Sequence, residues 1–236
     1  TPDTLRMLPW DRDQIHRLFD DLEFRVLRDR LFDTLASADP EVDQGFDVRG
    51  GALAPGELAA WLAEHSLGNR FGVAVVGTHL AFDSDASALA IVANDGDGRY
   101  IDTATIHPDD EAALAAWLAD PGPPKALHEA KLAMHDLEGR GWKLAGVTSD
   151  TALAAYLVRP GQRSFALDDL SLRYLKRELR AENPEQQQLS LLDDNDGVDE
   201  QAVQALLLRA AAVMDLADAL DEELAPAAAA EETTAS

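Results

Sequence analysis

The sequence predicts an α/β fold, a mixed β-sheet flanked by helices. Two observations carry this. From Pro108 to Val158, short apolar runs alternate with segments of helical periodicity, the pattern of parallel βαβ units. Before them, two β-prone runs are joined by "NDGDGR", an Asp-Gly turn that marks an antiparallel hairpin. A hydrophobic fraction of 46% is enough to build a core between the layers.

The elements follow in order. Residues 11–37 place Ile15, Leu18, Phe19, Leu22, Val26, Leu27, Leu31 and Phe32 at helical spacings, as two short helices or one kinked helix whose stripe is packing surface. "SADPEVDQG" ends that pattern. "PGELAAWLAEH" opens a short helix with its proline early, where the missing N–H costs little. "FGVAVVGTHLAF" reads as a buried strand running into a turn, centred on Val73–Val76. Ala88–Ala93 and Tyr100–Thr103 are the hairpin strands. Then "DDEAALAAWLAD" is a helix, "KALHE" a strand, "AKLAMHDLEGRG" a helix, "LAGVTSD" a strand and "TALAAYLV" a helix. "LDDLSLRYLKREL" reads as an amphipathic helix after the turn "RPGQRS". Residues 181–200 are polar and read as a loop, and "QAVQALLLRAAAVMDLADALDEEL" as a long terminal helix. "PAAAAEETTAS", residues 226–236, is low in complexity and is expected to be a flexible tail.

Several chemistries are excluded or disfavoured. There is no cysteine, so disulfides and thiolate metal sites are absent. There is no apolar run of the length a membrane span needs. The formal charge of −24 repels phosphate, which makes this chain by itself a poor DNA binder. A calcium loop counted from Asn94 reaches Thr105 where an acid is required. His128 and His135 are too widely spaced on a helix to share one zinc, and Leu132 stands where H-E-x-x-H needs its second histidine. "VRGGALAPGE" lacks both phosphate-loop spacings, and no G-x-S-x-G occurs. Asp150, between a strand and a helix, fits an N-cap.

The string "SDTALAAYLVRPGQRSFALDDLSLRYL", Ser149 to Leu175, with Asp150, Thr151 and Tyr156 followed by a Leu-rich helix, resembles the 3′–5′ exonuclease domain of the bacterial DNA polymerase I family (family A), most closely its mycobacterial branch. "LFDDLEFRVLRDRLF" resembles the connector that precedes this domain. The resemblance covers roughly residues 1–225. It implies a ribonuclease-H-like fold and a division into a helical connector (1–40) after a 5′-nuclease module, an exonuclease-like domain (41–225) and the tail. It also implies that the chain is a fragment, with a polymerase module expected beyond it.

Active members carry D-x-E, N-x-x-x-D and Y-x-x-x-D, whose four carboxylates hold two metal ions roughly 4 Å apart. Laid on without gaps, the first motif falls on Val76 and Thr78, the second on Glu129 and Ala133, and the third near Leu206 and Ala210. At the four positions that would bind metal, Val76, Thr78, Ala133 and Ala210, no acid is left. The resemblance therefore implies a catalytically silent spacer between 5′-nuclease and polymerase modules, with no cofactor of its own and Mg²⁺ expected in the polymerase module. Its partners would be those modules, DNA through the longer protein, and no membrane. Its place would be the cytoplasm, at the nucleoid.

Two alternatives stay open. Nearby acids, Asp83, Asp85, Asp136 and Asp215, could form a relocated site in an active metal-dependent exonuclease. Gln188, Leu189, Ser190, Leu191 and Leu192 resemble a short sliding-clamp-binding peptide, in which an extended segment places its apolar side chains in pockets. In that case the chain is an interaction module. The competing reading is that Leu189, Leu191 and Leu192 pack onto this domain's own core.

Overall fold

The computed structural model describes residues 46, 48–66, 68–78, 84–179 and 200–234, with side chains up to residue 225. The expected helices of 11–37, Asp83 and the Gln188–Leu192 string lie outside the described residues. The chain divides between Asp43 and Gln44, and all that follows concerns the second unit.

Six strands form one mixed sheet in the order β1-β4-β3-β2-β5-β6. They are β1 (Arg49–Ala52), β2 (Phe71–Gly77), β3 (Ala86–Val92), β4 (Asp97–Asp102), β5 (Lys125–Leu127) and β6 (Val147–Asp150). β2, β3 and β4 are antiparallel neighbours, with Ala90 opposite both Ala74 and Tyr100. β5 joins β2 in parallel, and β6 joins β5 in parallel. The antiparallel hairpins and the parallel βαβ half are thus both present, as their sequence patterns predict. β1, parallel to β4, is an edge strand of four residues that no periodicity announced; two of them are glycines.

The helices are α1 (Leu58–His65), α2 (Pro108–Ala119), α3 (Ala130–Gly139), α4 (Thr151–Val158), α5 (Leu167–Leu170) and α6 (Glu200–Thr234). Two sequence expectations change here. The helix expected over "LDDLSLRYLKREL" is a single α-turn, α5, followed by a wider turn, Ser171–Leu175, and stops at Lys176, whose φ is +58°. A residue in the left-handed region cannot continue a right-handed helix. The terminal helix, expected to end near Leu224, runs to Thr234, so the tail expected to be flexible is helical up to that point. Its alanine-rich composition gives the physical reason, since alanine has the highest helix propensity.

The sheet buries both faces. On β3, Ala88, Ala90 and Val92 pack against α4, α5 and α6, while Leu89 and Ile91 pack against α1, α2 and α3. This is the period-two alternation of a strand with a core on each side. The α6 side is built from small residues, so the helix lies close to the sheet. A Cβ on Gly72 would collide with the carbonyl oxygen of Ala210, and one on Gly98 would crowd Leu207. Among the described residues, no helix is long and apolar enough to cross a membrane.

Candidate functional site at the carboxyl edge of the parallel strands

In open α/β sheets, ligands bind beyond the carboxyl ends of parallel strands. Here that edge is formed by the ends of β2, β5 and β6, and the turns after them lead into α3 and α4. Of the motif positions, Val76, Thr78 and Glu129 lie at this edge.

β2 alternates. Gly72 and Ala74 face the α6 side, and Val73 and Val75 face the α3 side. Val76 therefore points to the α6 side and is exposed, and Thr78 follows the strand, also exposed. Thr78 is tied into the mouth of the hairpin: its N–H donates to the Asp85 carbonyl (3.1 Å) and its Oγ1 accepts from the Asp85 N–H (3.1 Å). Ala210 is fully buried against Gly72. Four residues of strand, about 13 Å, separate Gly72, which abuts Ala210, from Val76. The side chain that shares the α6 face and lies next to Gly72 is Ala74, two residues earlier. None of Ala74, Val76 and Thr78 carries a carboxylate.

The second motif opens α3. Glu129 stands in the left-handed region (φ +54°) and precedes the helix without a side-chain cap. Non-glycine residues seldom adopt this conformation, and asparagine tolerates it best. Ala133, one turn on, is buried with Leu127 and Leu137 on the side of the sheet away from Ala210.

Asp150 caps α4, as its position predicts, accepting from the N–H groups of Ala152 (3.0 Å) and Leu153 (3.4 Å). It also accepts from Glu129 (3.2 Å) and Ala130 (2.9 Å), so one carboxylate holds the first turns of both α3 and α4. Next to it, His128 Nδ1 and Thr151 Oγ1 are 2.8 Å apart. Burial pushes the His128 imidazole below its usual value. Glu129 and Asp150 oppose that shift, and the Arg209 charge adds to it. Arg209, beside Ala210 on α6, also acts on Asp168, whose carboxyl burial raises while Arg209 pulls it down.

Three of the acids considered for a relocated site, Asp85, Asp136 and Asp215, are among the described residues. Asp85 pairs with Arg140 (3.2 Å), which also donates to the Thr103 carbonyl (3.0 Å). Asp136 is buried with its carboxyl group against Gly77, on the α3 side. Asp215 pairs with Arg177 (2.7 Å); burial raises its pKa and Arg177 counters. Among the described residues, no three His, Asp or Glu side chains are grouped to hold a metal ion. The described residues at this edge do not supply the carboxylates of a two-metal centre.

A polar concavity lies at the opposite, amino edge, lined by Arg49, Glu57, Trp61, His65, Asp97 and Arg99. Its groups satisfy one another: Trp61 Nε1 donates to Asp97 (2.9 Å), and Arg99 bridges Asp97 (2.8 Å) and Glu57 (2.9 Å). Burial pushes the Asp97 carboxyl up, but the Trp61 and Arg99 hydrogen bonds outweigh it and hold the group below the usual range.

The model of the family described as "DNA polymerase I, ribonuclease H-like domain" matches residues 81–183. DNA polymerase I of Mycobacterium tuberculosis is 75% identical over 227 residues, 95% of this chain and 25% of that protein. The chain belongs to the DNA polymerase I family, in its ribonuclease H-like exonuclease domain. It spans about a quarter of the length of the curated relatives it matches. A solved chain described as the POL domain of Pol1 from M. smegmatis, in complex with DNA primer-template and dNTP, is 72% identical. It superposes with a TM-score of 0.65 over 75% of this chain and 28% of its own length. Brucella melitensis NrnC with bound Mg²⁺ shares the fold at 13% identity and a TM-score of 0.57, covering 81% of this chain and 88% of its own. The ribonuclease-H-like fold and the mixed sheet flanked by helices are those of this family.

Proposed function

We propose that this chain is the nuclease-silent, architectural part of a DNA polymerase I polypeptide. The observation that carries the reading is the residues at the aligned motif positions. Val76, Thr78, Ala133 and Ala210 fall where the family pattern has metal-binding acids, and none of them carries a carboxylate to ligate a hard cation. The nearby acids Asp85 and Asp215 are committed to arginines on different elements. Arg209 adds a fixed positive charge close to His128, which disfavours a divalent cation there.

DNA synthesis from deoxynucleoside triphosphates, with Mg²⁺, belongs on this reading to the polymerase part of the longer polypeptide, and DNA is met through that part. A 5′-nuclease module precedes residues 1–40 as connector, and the whole works in the cytoplasm, at the nucleoid. The Gln188–Leu192 string, as a contact for the sliding clamp, rests on sequence alone. A synthetic peptide of that string with no affinity for the clamp removes it.

The test of silence is an exonuclease assay on a single-stranded 3′ end in Mg²⁺ and then Mn²⁺. No degradation is expected. Degradation that disappears on joint Asp85→Asn and Asp136→Asn substitution would mean that the metal site has moved, and the reading fails.

A further inference from the structure

The concavity at the amino edge holds one contact that its own groups leave unsatisfied. His65 ends α1, and its ring lies against Trp61 with the ring centres 4.6 Å apart. His65 Nδ1 is 2.7 Å from the Trp61 carbonyl oxygen. A carbonyl oxygen only accepts, so Nδ1 carries the hydrogen and the tautomer is fixed. In the neutral ring Nε2 is then an acceptor. It faces two further acceptors, Asp95 Oδ2 at 3.4 Å and Asp97 Oδ2 at 3.7 Å. A second proton, on Nε2, turns this repulsive set into a cation between two carboxylates, at a helix C-terminus that favours positive charge. The charged groups around the ring come from every element packed there: Glu57 and Glu64 beside it on or next to α1, Asp95 in the β3–β4 turn, Asp97 and Arg99 on β4, and Arg49 on β1. Acids outnumber arginines, and both arginines are engaged. Arg99 holds Glu57 (2.9 Å) and Asp97 Oδ1 (2.8 Å), and Arg49 donates to the Asp95 carbonyl (2.6 Å). Three elements meet at residues 95–97. The Gly96 N–H donates to the Ala93 carbonyl (2.9 Å), and the Asp97 N–H to Asp95 Oδ1 (3.0 Å). Arg49, the first residue of β1, donates its N–H to the Gly96 carbonyl (2.8 Å).

We propose that His65 is a proton-operated latch, which fastens the end of α1 to the β3–β4 turn and, through that turn, to the start of β1. With Nε2 protonated, the imidazolium bridges Asp95 and Asp97. When that proton leaves, the lone pair meets the two carboxylates, the bridge opens, and the turn is held by its own hydrogen bonds. The sign follows from the charge. The tightening is present on the acid side of histidine's range, about pH 5 to 8, and is lost as pH rises through it. The Asp97 arm keeps its charge over that range. Burial raises its carboxyl, but the hydrogen bonds from Trp61 and Arg99 outweigh burial and hold it below the usual range. The ring and both carboxylates line an open concavity, so solvent protons reach them. The latch stands at the edge opposite the degenerate motifs, so the exonuclease assay leaves it untouched.

Nitrogen-detected and amide NMR on the whole 236-residue chain, titrated through that range, tests this. At the alkaline end the His65 ring is expected as the Nδ1–H tautomer. As pH falls, the amide signals of Arg49, Gly96 and Asp97 should move with the same midpoint as the His65 ring nitrogens. Their hydrogen exchange, corrected for its intrinsic pH dependence, should slow by about two- to five-fold, the scale of a partly exposed ion pair. His65→Gln should abolish this common response, while His107→Gln, at an exposed cap elsewhere, should leave it. An Nε2–H tautomer in the parent overturns the proposal whether or not the variant folds. So do turn amides that ignore the His65 titration, or that keep the same response in His65→Gln, which would assign it to the carboxylates alone.

Discussion

Gly72 lies directly beneath the carbonyl oxygen of Ala210, so that β2 and α6 approach backbone to backbone. This contact brings α6 down onto the sheet and decides which β2 side chain is Ala210's neighbour. Because the partner is a carbonyl and not the end of a flexible side chain, nothing local can give way. Gly72→Ala is expected to destabilise the chain by about 1–3 kcal/mol through overpacking. Urea unfolding followed by circular dichroism measures this. A midpoint unchanged from the parent would show that α6 does not seat there.

Asp150 accepts from four backbone N–H groups on two helices. An ordinary N-cap lost to alanine costs about 0.5–2 kcal/mol. Asp150→Ala leaves donors open at two helix starts and should cost about twice that, roughly 1–4 kcal/mol. Asp150→Asn keeps the acceptor oxygen and should recover part of the loss. Equilibrium denaturation of the two variants separates a double cap from a single one, since only the double cap lets Ala exceed the usual range.

Glu129 holds φ +54° at the start of α3, in a region its side chain tolerates poorly. Its own N–H is satisfied by Asp150, so the turn is kept in place by the surroundings and not by the residue. Glu129→Asn should stabilise the fold by about 0.5 kcal/mol, with Glu129→Gly doing the same up to the extra freedom it adds to the unfolded chain. A loss of stability in the asparagine variant, read from the thermal midpoint, would mean that the Glu129 side chain makes a contact worth more than the strain.

Much of this was legible in the sequence, for reasons that can be named. The Asp-Gly turn and the alternation after Pro108 reflect local chemistry, and they gave the hairpins and the parallel half. Asp150 was readable as a cap because the signal lies within a few residues of the helix it starts. Its second role, on α3, was not, since the partners are about 20 residues away and nothing local encodes the approach. The approach of Gly72 to Ala210 depends on how α6 crosses the sheet, a tertiary fact. The helix expected over 167–179 carries the right periodicity, but Lys176 adopts the left-handed region, and no pattern of apolar residues foretells that.

Lys125 is also invisible to pattern reading, since a lysine that opens a strand is ordinarily solvated. Here it is fully buried, with Nζ donating to the carbonyls of Asp120 (2.9 Å) and Pro123 (3.0 Å) and lying 4.5 Å from the centre of the Trp117 ring. Burial pushes its pKa down from 10.5 to about 8, against the pull of Asp120. The sign follows from proton counting. Between about pH 8 and 10.5 the unfolded chain keeps the proton that the folded chain has released, so stability rises with pH across that window. Below it, both states are charged and the full burial penalty, of order a few kcal/mol, is present. Lys125→Met should abolish this slope while leaving the two carbonyls without their donor. Urea midpoints of parent and variant, measured at steps through the window, isolate the lysine from the tyrosines that titrate nearby. Parallel curves for the two proteins would show that Lys125 keeps an ordinary pKa.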